Sequence, residues 1–264
     1  MQTTQTPHDQ RCIWMNAGVI SYKLCDYNFN CDYCPLDIVL RKTTQHAPEP
    51  VDPQIGRTVE IELPTDLPED VARLLRPYAA IRLAEDVLYS AEHLWVRSFN
   101  RKLSLVGLDS FLASLLPATA SIVLSAQNAH VERGRPFGWV YTHHKALPLL
   151  APLSGTVLRH NRLLSDDLTL VKENNHDLGW LISLLPSDYD SEQPTLLRAA
   201  EMRELTSGHM HGLLDRSLMR FRNAACPAGL CLNDGGVPVA SLEEALGPDG
   251  YQQLIRPYFP ATAD

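Results

Sequence analysis

Two groups of side chains, and a weaker third, have the types and spacing to do chemistry. The first is "THHKALPLLAP", Thr142 to Pro152. The amine of Lys145 can be acylated and could anchor a swinging cofactor arm. His143 and His144 beside it could titrate near neutral pH or ligate a metal. Adjacent strand residues point to opposite faces, however, and the sequence offers no third ligand, so solvated surface histidines are expected. The second group is "CIWMNAGVISYKLCDYNFNCDYCPLD", in which Cys31 and Cys34 form a C-x-x-C knuckle followed by Pro35, with Cys25 and Cys12 upstream. Four thiolates in so short a span can close a tetrahedral zinc site or hold an iron–sulfur cluster. The full C-x-x-C-x-x-C run of bacterial ferredoxins is missing, which leans towards zinc. Trp14, Tyr22, Tyr27, Phe29 and Tyr33 crowd the same stretch, as in a mini-fold that needs a metal to be stable. A redox dithiol at Cys31 and Cys34, or plain reduced thiols, are the alternatives. Cys226 and Cys231, in "ACPAGLCLNDGG", read as extra ligands, a redox pair or ordinary loop cysteines. No Ser/His/Asp arrangement, phosphate-cradling glycine loop or acid pair at diagnostic spacing is visible, so an independent enzyme is not expected.

The elements that must position these groups are mostly short strands. "RTVEIEL" (57–63) and "HLWVRS" (93–98) alternate apolar and polar residues like half-buried strands. "KLSLVGL" (102–108), "SIVLS" (121–125), "GWVYT" (138–142), "GTVLRHN" (155–161) and "WLISLL" (180–185) continue the series. Strands this short, separated by Gly, Pro, Asn and Asp, predict an antiparallel sandwich or barrel rather than βαβ units. Helical turns are expected at "DSFLASLL", capped by Asp109, and at "SDDLTLVKEN", capped by Ser165 or Asp166. From about Thr195 the pattern turns helical. Leu196, Leu197, Ala200 and Met202 fit one face, and Leu213, Leu214, Leu218 and Phe221 another. This tail would pack on the β core or make a homodimer contact.

Composition bounds the partners. The chain has 264 residues, 45% hydrophobic and 20% charged, with a formal net charge of −8. Such acidity argues against a protein that grips nucleic-acid backbones. The longest apolar run, Leu103–Leu124, is broken by Asp109 and Pro117, so no membrane span is predicted. No basic start and apolar h-region opens the sequence, which predicts a cytoplasmic protein whose six cysteines are reduced or metal-bound rather than paired. Four regions are expected: a Cys-rich metal-binding module at 1–45, a linker with a possible extra strand at 46–79, a mainly β domain at 80–190, and a helical extension at 191–264.

The β domain resembles a known family. "YSAEHLWV" is similar to a Tyr-x-x-x-His-x-Trp strand, "LVGLDSFLASLL" to Val-Gly-Ile-Thr-x-x-Ala-x-x-x-Leu-Gly, and "ERGRPFGWV" to Lys-Gly-x-x-Phe-Gly-x-Val. "APLSGTVLRHNRLLSDDLTLVKEN" is similar to Ser-Pro-Val-Ser-Gly-x-Val-x-x-x-Asn and its following Asp-Pro-x-Leu-Val helix, and "LGWLISLLP" to a closing Gly-Trp-Leu strand. In this order they resemble the glycine cleavage system H protein, a lipoyl-carrying domain. The resemblance implies a lipoyl-type β-sandwich, a barrel-sandwich hybrid; read by themselves, Trp95 and Trp180 are expected as core aromatics rather than substrate platforms, and His93 as a satisfied structural histidine rather than a catalytic one. It also implies a lysine at the tip of a tight hairpin, six residues after the Gly of Phe-Gly and eight before the Pro of Ser-Pro-Val-Ser-Gly. Counted from Gly138 or back from Pro152, that slot falls on His144, not Lys145. The family's preceding Glu falls on Tyr141, and its small residues on Lys145, Ala146 and Leu147. An imidazole cannot form the stable amide. The expectation is a degenerate carrier domain, a non-enzymatic protein-interaction, redox or sensing module with a Cys-bound metal. The alternative is a genuine lipoyl carrier of a glycine cleavage-type complex, with the arm on Lys145. Gly134, Gly138 and Gly155 are expected at turns, and Asn161 at a corner where it bonds local backbone.

Overall fold

The computed structural model of the chain describes Cys12, Cys25, Cys34, Leu36 and residues 56–142, 145–223 and 239–260. The chain divides into two compact units, Met1–Gln54 and Ile55–Asp264. In the first, Cys12 and Cys34 are buried and Cys25 is half-buried.

The second unit is mainly β. Its strands are β1 (Gly56–Glu60), β2 (Ala80–Ala84), β3 (Leu88–Tyr89), β4 (Leu94–Asn100), β5 (Leu103–Leu108), β6 (Ser121–Leu124), β7 (His130–Val131), β8 (Pro136–Thr142), β9 (Lys145–Leu150), β10 (Gly155–His160) and β11 (Trp180–Pro186). They form a two-stranded sheet β1-β2, a six-stranded sheet β3-β4-β5-β11-β10-β7 and a three-stranded sheet β6-β8-β9. Pairing is antiparallel throughout these sheets. Every strand expected from alternation is present. Val106, Leu108 and Leu184 of the larger sheet share one continuous buried core with Phe137, Val140, Leu147 and Leu149 of the smaller, which is the inner layer of a sandwich. Trp95 is fully buried and Trp180 is half-buried against the same core.

The helices are α1 (Glu69–Leu75), α2 (Ser110–Ser114), α3 (Leu163–Asp166), α4 (Leu170–Glu173), α5 (Tyr189–Glu192), α6 (Ala199–Asn223) and α7 (Leu242–Ile255). Asp109 caps α2 as expected, its carboxylate accepting from the Leu112 amide at 2.8 Å. The second expected cap is different. The segment makes two short turns, α3 and α4, with no side-chain cap on either. Asp167 bonds locally instead, accepting from the Thr169 amide and hydroxyl. The tail is helical, but its first face differs from expectation. Leu197 precedes α6 and bridges Tyr89 in extended conformation, while Ala200 is exposed. The buried face of the 25-residue α6 is Ala199, Met202, Thr206, Met210, Leu213, Leu214, Ser217 and Phe221, a stripe at helical spacing; of the second expected face, Leu213, Leu214 and Phe221 are buried and Leu218 packs partly buried against the core. α7 bends at Gly247, whose φ is +68°.

Three glycines meet different demands. Gly134 has the left-handed φ of a turn, +75°. Gly138 and Gly155 are strand residues, needed for close approach: a Cβ on Gly155 would lie 2.3 Å from the Leu185 carbonyl oxygen, and one on Gly138 2.9 Å from that of Val123. Asn161 closes its corner as expected. Its amide donates to the Leu178 and Trp180 carbonyls at 2.6 and 2.9 Å, and its oxygen accepts from the Leu163 amide at 3.1 Å. Asn161→Ala leaves these groups without their partner at a site only 5% exposed; it is expected to cost about 2 kcal/mol in urea unfolding.

Candidate functional site: the β8–β9 hairpin

The hairpin is built by two strands with opposite constraints. β8 alternates, with Val140 and Thr142 buried and Tyr141 45% exposed. β9 contains Pro148, which an edge strand tolerates because its missing N–H need not serve the ladder; β9 is indeed an edge of the three-stranded sheet. The register runs from Pro136↔Leu150 through Val140↔Leu147 to Thr142↔Lys145. Two residues, His143 and His144, connect the last rung, and both lie outside the described residues.

Lys145 is therefore the first residue of β9, and it is exposed. Paired residues project to the same side of a ladder, so Lys145 shares the face of Thr142, Val140 and Leu147. At the end of that face, the Thr142 hydroxyl donates to Oε1 of Gln252 on α7. The next residue back, Tyr251, donates its phenol to the Leu115 carbonyl at 2.9 Å and lies 3.5 Å from the Tyr78 hydroxyl. Burial holds the Tyr251 phenol well above its ordinary pKa, which keeps it a donor. The hairpin stem is thus tied to the end of α2 through one turn of α7.

The Cys cluster is only partly described. Cys12, Cys25 and Cys34 are described; Cys31, Cys226 and Cys231 lie outside the described residues. Among the described residues, no group of three or more His, Cys, Asp or Glu is placed to hold a metal ion, and no helix is long and apolar enough to cross a membrane.

Comparison with known proteins decides the family. The family model "Glycine cleavage H-protein" matches residues 87–209. A glycine cleavage system H protein from Bacillus subtilis is 32% identical over 124 residues, which cover 47% of this chain and 96% of the relative. The chain belongs to the glycine cleavage H-protein family. Another H protein, from Halalkalibacterium halodurans, is 33% identical over 125 residues, again 47% of this chain and 96% of the relative. A crystal structure of the H protein from Mycobacterium marinum aligns with 48% of this chain and 98% of its own, at 24% identity and a TM-score of 0.41. The H-protein region spans β3 to the first half of α6. α7, whose Gln252 holds the hairpin, lies beyond it, as do β1 and α1.

Sequence reasoning located the hairpin but missed Thr142 and Gln252, which lie 110 residues apart. It also read His93 only as a satisfied histidine, without its partner on α6. A short polar residue beside the turn was the one available sign of the first contact.

Proposed function

We propose that this chain is a divergent, non-catalytic member of the H-protein family. Its carrier hairpin serves protein recognition, and it works alongside a metal-binding Cys module formed by Cys12, Cys25, Cys31 and Cys34. The observation that carries the reading is the hairpin register. With Thr142 paired to Lys145, the lysine is a ladder residue, and the ungapped count from Gly138 and from Pro152 gives the acyl-lysine slot to His144. A lipoyl amide needs an amine, which imidazole cannot supply. Burial of Cys12 and Cys34 supports thiols turned inward, where zinc or an iron–sulfur cluster would hold them as thiolates. The partners of such a module are other proteins, of the glycine cleavage type or redox proteins.

A second reading keeps the carrier function and places the lipoyl arm on Lys145. It is favoured by the exposure of that side chain one residue from the turn. One experiment separates the two: mass spectrometry of protein from its native cell, intact and after digestion, together with metal analysis. The first reading expects unmodified Lys145 and one site's worth of zinc or iron per chain, lost in Cys31→Ser. A lipoyl group on Lys145 would establish the second reading. Metal-free protein after anaerobic purification would remove the Cys module from the proposal.

A further inference from the structure

A chain of three titratable side chains joins the β core to the helical tail. His93, in the turn between β3 and β4, is 1% exposed and has a left-handed φ of +64°. That conformation is costly for a side chain with a Cβ, and it is held from both sides. The His93 amide donates to the Ser90 carbonyl, and its own carbonyl accepts from the Asp109 amide at 2.9 Å. The ring is fixed as tightly. Nδ1 lies 2.6 Å from Oδ2 of the fully buried Asp109, and Nε2 lies 2.7 Å from Nδ1 of His209 on α6. Phe111 packs on both rings, at 4.7 Å from His93 and 6.0 Å from His209.

Proton counting fixes what the chain can do. Asp109 as carboxylate accepts, so His93 donates from Nδ1. A neutral His93 then accepts at Nε2, and His209 donates from Nδ1. One added proton can be absorbed without losing a bond. His93 becomes imidazolium and donates from both nitrogens, balanced by Asp109, while His209 switches tautomer and accepts at Nδ1. A second added proton cannot be absorbed, because both facing nitrogens would then carry hydrogens and the 2.7 Å contact would open.

We infer that Asp109, His93 and His209 form a protonation-gated clasp that seats the C-terminal helices on the β core, and that its opening frees the stem of the β8–β9 hairpin. The groups facing His209 fit this role. From the β core come His93 and Asp109, from α6 itself Arg216, and after α7 Tyr258, whose hydroxyl donates to the His209 carbonyl at 3.1 Å and accepts from Arg216 at 2.9 Å. Burial, then the His93 and Arg216 charges, resist protonation of His209, and Asp109 opposes them. The link to the hairpin runs through the same segment: Tyr258 follows α7, and α7 carries the Gln252 that holds Thr142.

Hydrogen exchange on the full chain, corrected for intrinsic rates, tests the clasp. Between pH 7.5 and 5, α6 and the β8–β9 stem should lose protection together, with the opening constant rising about tenfold per pH unit once a single linked proton controls it. In His209→Gln the amide can still donate to His93 but cannot titrate, so both segments should stay protected over that range. In Gln252→Ala the stem should exchange fast at every pH while α6 keeps its pH response. Nitrogen NMR of the imidazoles in the unaltered chain is an independent measure if His209→Gln fails to fold. While the clasp is closed, the two facing nitrogens, His93 Nε2 and His209 Nδ1, should carry one hydrogen between them. Hydrogens on both facing nitrogens, His93 Nε2 and His209 Nδ1, while α6 stays protected, or a His209→Gln chain that loses protection at the same pH as the parent, would overturn the clasp. Stem protection unchanged in Gln252→Ala would overturn its link to the hairpin.

Discussion

Gly107→Ala is expected to lower stability by about 3 kcal/mol, at the severe end for a single added methyl. Gly107 lies on β5 between Trp95 of β4 and Trp180 of β11, its rung partners on either side. Its backbone is ordinary strand; the demand is space. A Cβ there would lie 2.5 Å from two carbons of the Trp95 indole and 2.7 Å from its nitrogen. The ring cannot retreat cheaply, because it is fully buried, with the His176 ring 5.9 Å away and the Arg97 guanidinium 5.7 Å from its centroid. For a chain of this size the thermal midpoint should fall by roughly 10 °C, read by circular dichroism. The double variant Gly107→Ala with Trp95→Phe supplies the control. Phenylalanine removes the atoms in conflict, and the indole N–H it discards has no hydrogen-bond partner among the described residues. The double variant should therefore be more stable than Gly107→Ala alone. A double variant that is less stable, by the full sum of the single effects, would place the cost of Gly107→Ala somewhere other than the indole.

Why Gly107 must be glycine was not legible in the sequence, and the reason applies to much of the molecule. Strands β4, β5, β8, β10 and β11 are legible because each is a short run rich in apolar and β-branched or aromatic residues and bounded by turn residues, a sign that depends only on neighbours in sequence. β9 is not legible. Its residues Leu147–Leu150 contain a proline and no polar interruption, and only its place at a sheet edge makes that acceptable. β7 and β3 are two residues each, too short for any period. α6 runs through Gly208, a residue that local propensity disfavours inside a helix; nothing lies within 4 Å of a Cβ built there, so the glycine costs only its weak helix propensity. The hairpin tip could be counted from two flanks because no insertion separates Phe137 from Pro152. Contacts that depend on distant segments carry no such local sign. Thr142 with Gln252, and His93 with His209 at a separation of 116 residues, are set by how the tail lies on the core. Asp109 gave a partial sign. It stands where the resembling family pattern has threonine, which explains a cap but not a second carboxylate oxygen aimed at His93.

The folded state should lose stability steeply between pH 6.5 and 4, and His176 should account for a separable part of the loss. Its ring lies between Tyr89 and Trp95, at 6.3 and 5.9 Å. The Tyr89 hydroxyl donates to the Ala84 carbonyl at 2.9 Å, so at 3.3 Å it can accept from His176 Nε2–H, an arrangement that suits the neutral ring. Burial, foremost, pulls His176 down to about 4 from its ordinary value of 6.5; Arg97 adds to the effect, and Asp109, Asp86 and Asp177 oppose it. In the unfolded chain His176 takes up a proton as pH falls through 6.5, whereas in the folded chain it stays neutral until about 4. Its contribution is therefore fully present above 6.5 and is withdrawn between 6.5 and 4, to a total of at most on the order of 3 kcal/mol. Urea unfolding at closely spaced pH values measures it. His176→Gln, which keeps an N–H for Tyr89 but cannot titrate, should flatten the profile over this window and leave the region above pH 7 parallel to the parent. The clasp at His209 predicts a different signature, local opening of α6 and the hairpin stem while the rest of the core stays protected. A His176→Gln chain with the parent's slope between 6.5 and 4 would assign the acid loss to the carboxylates, and would mean that water reaches the imidazole when it charges.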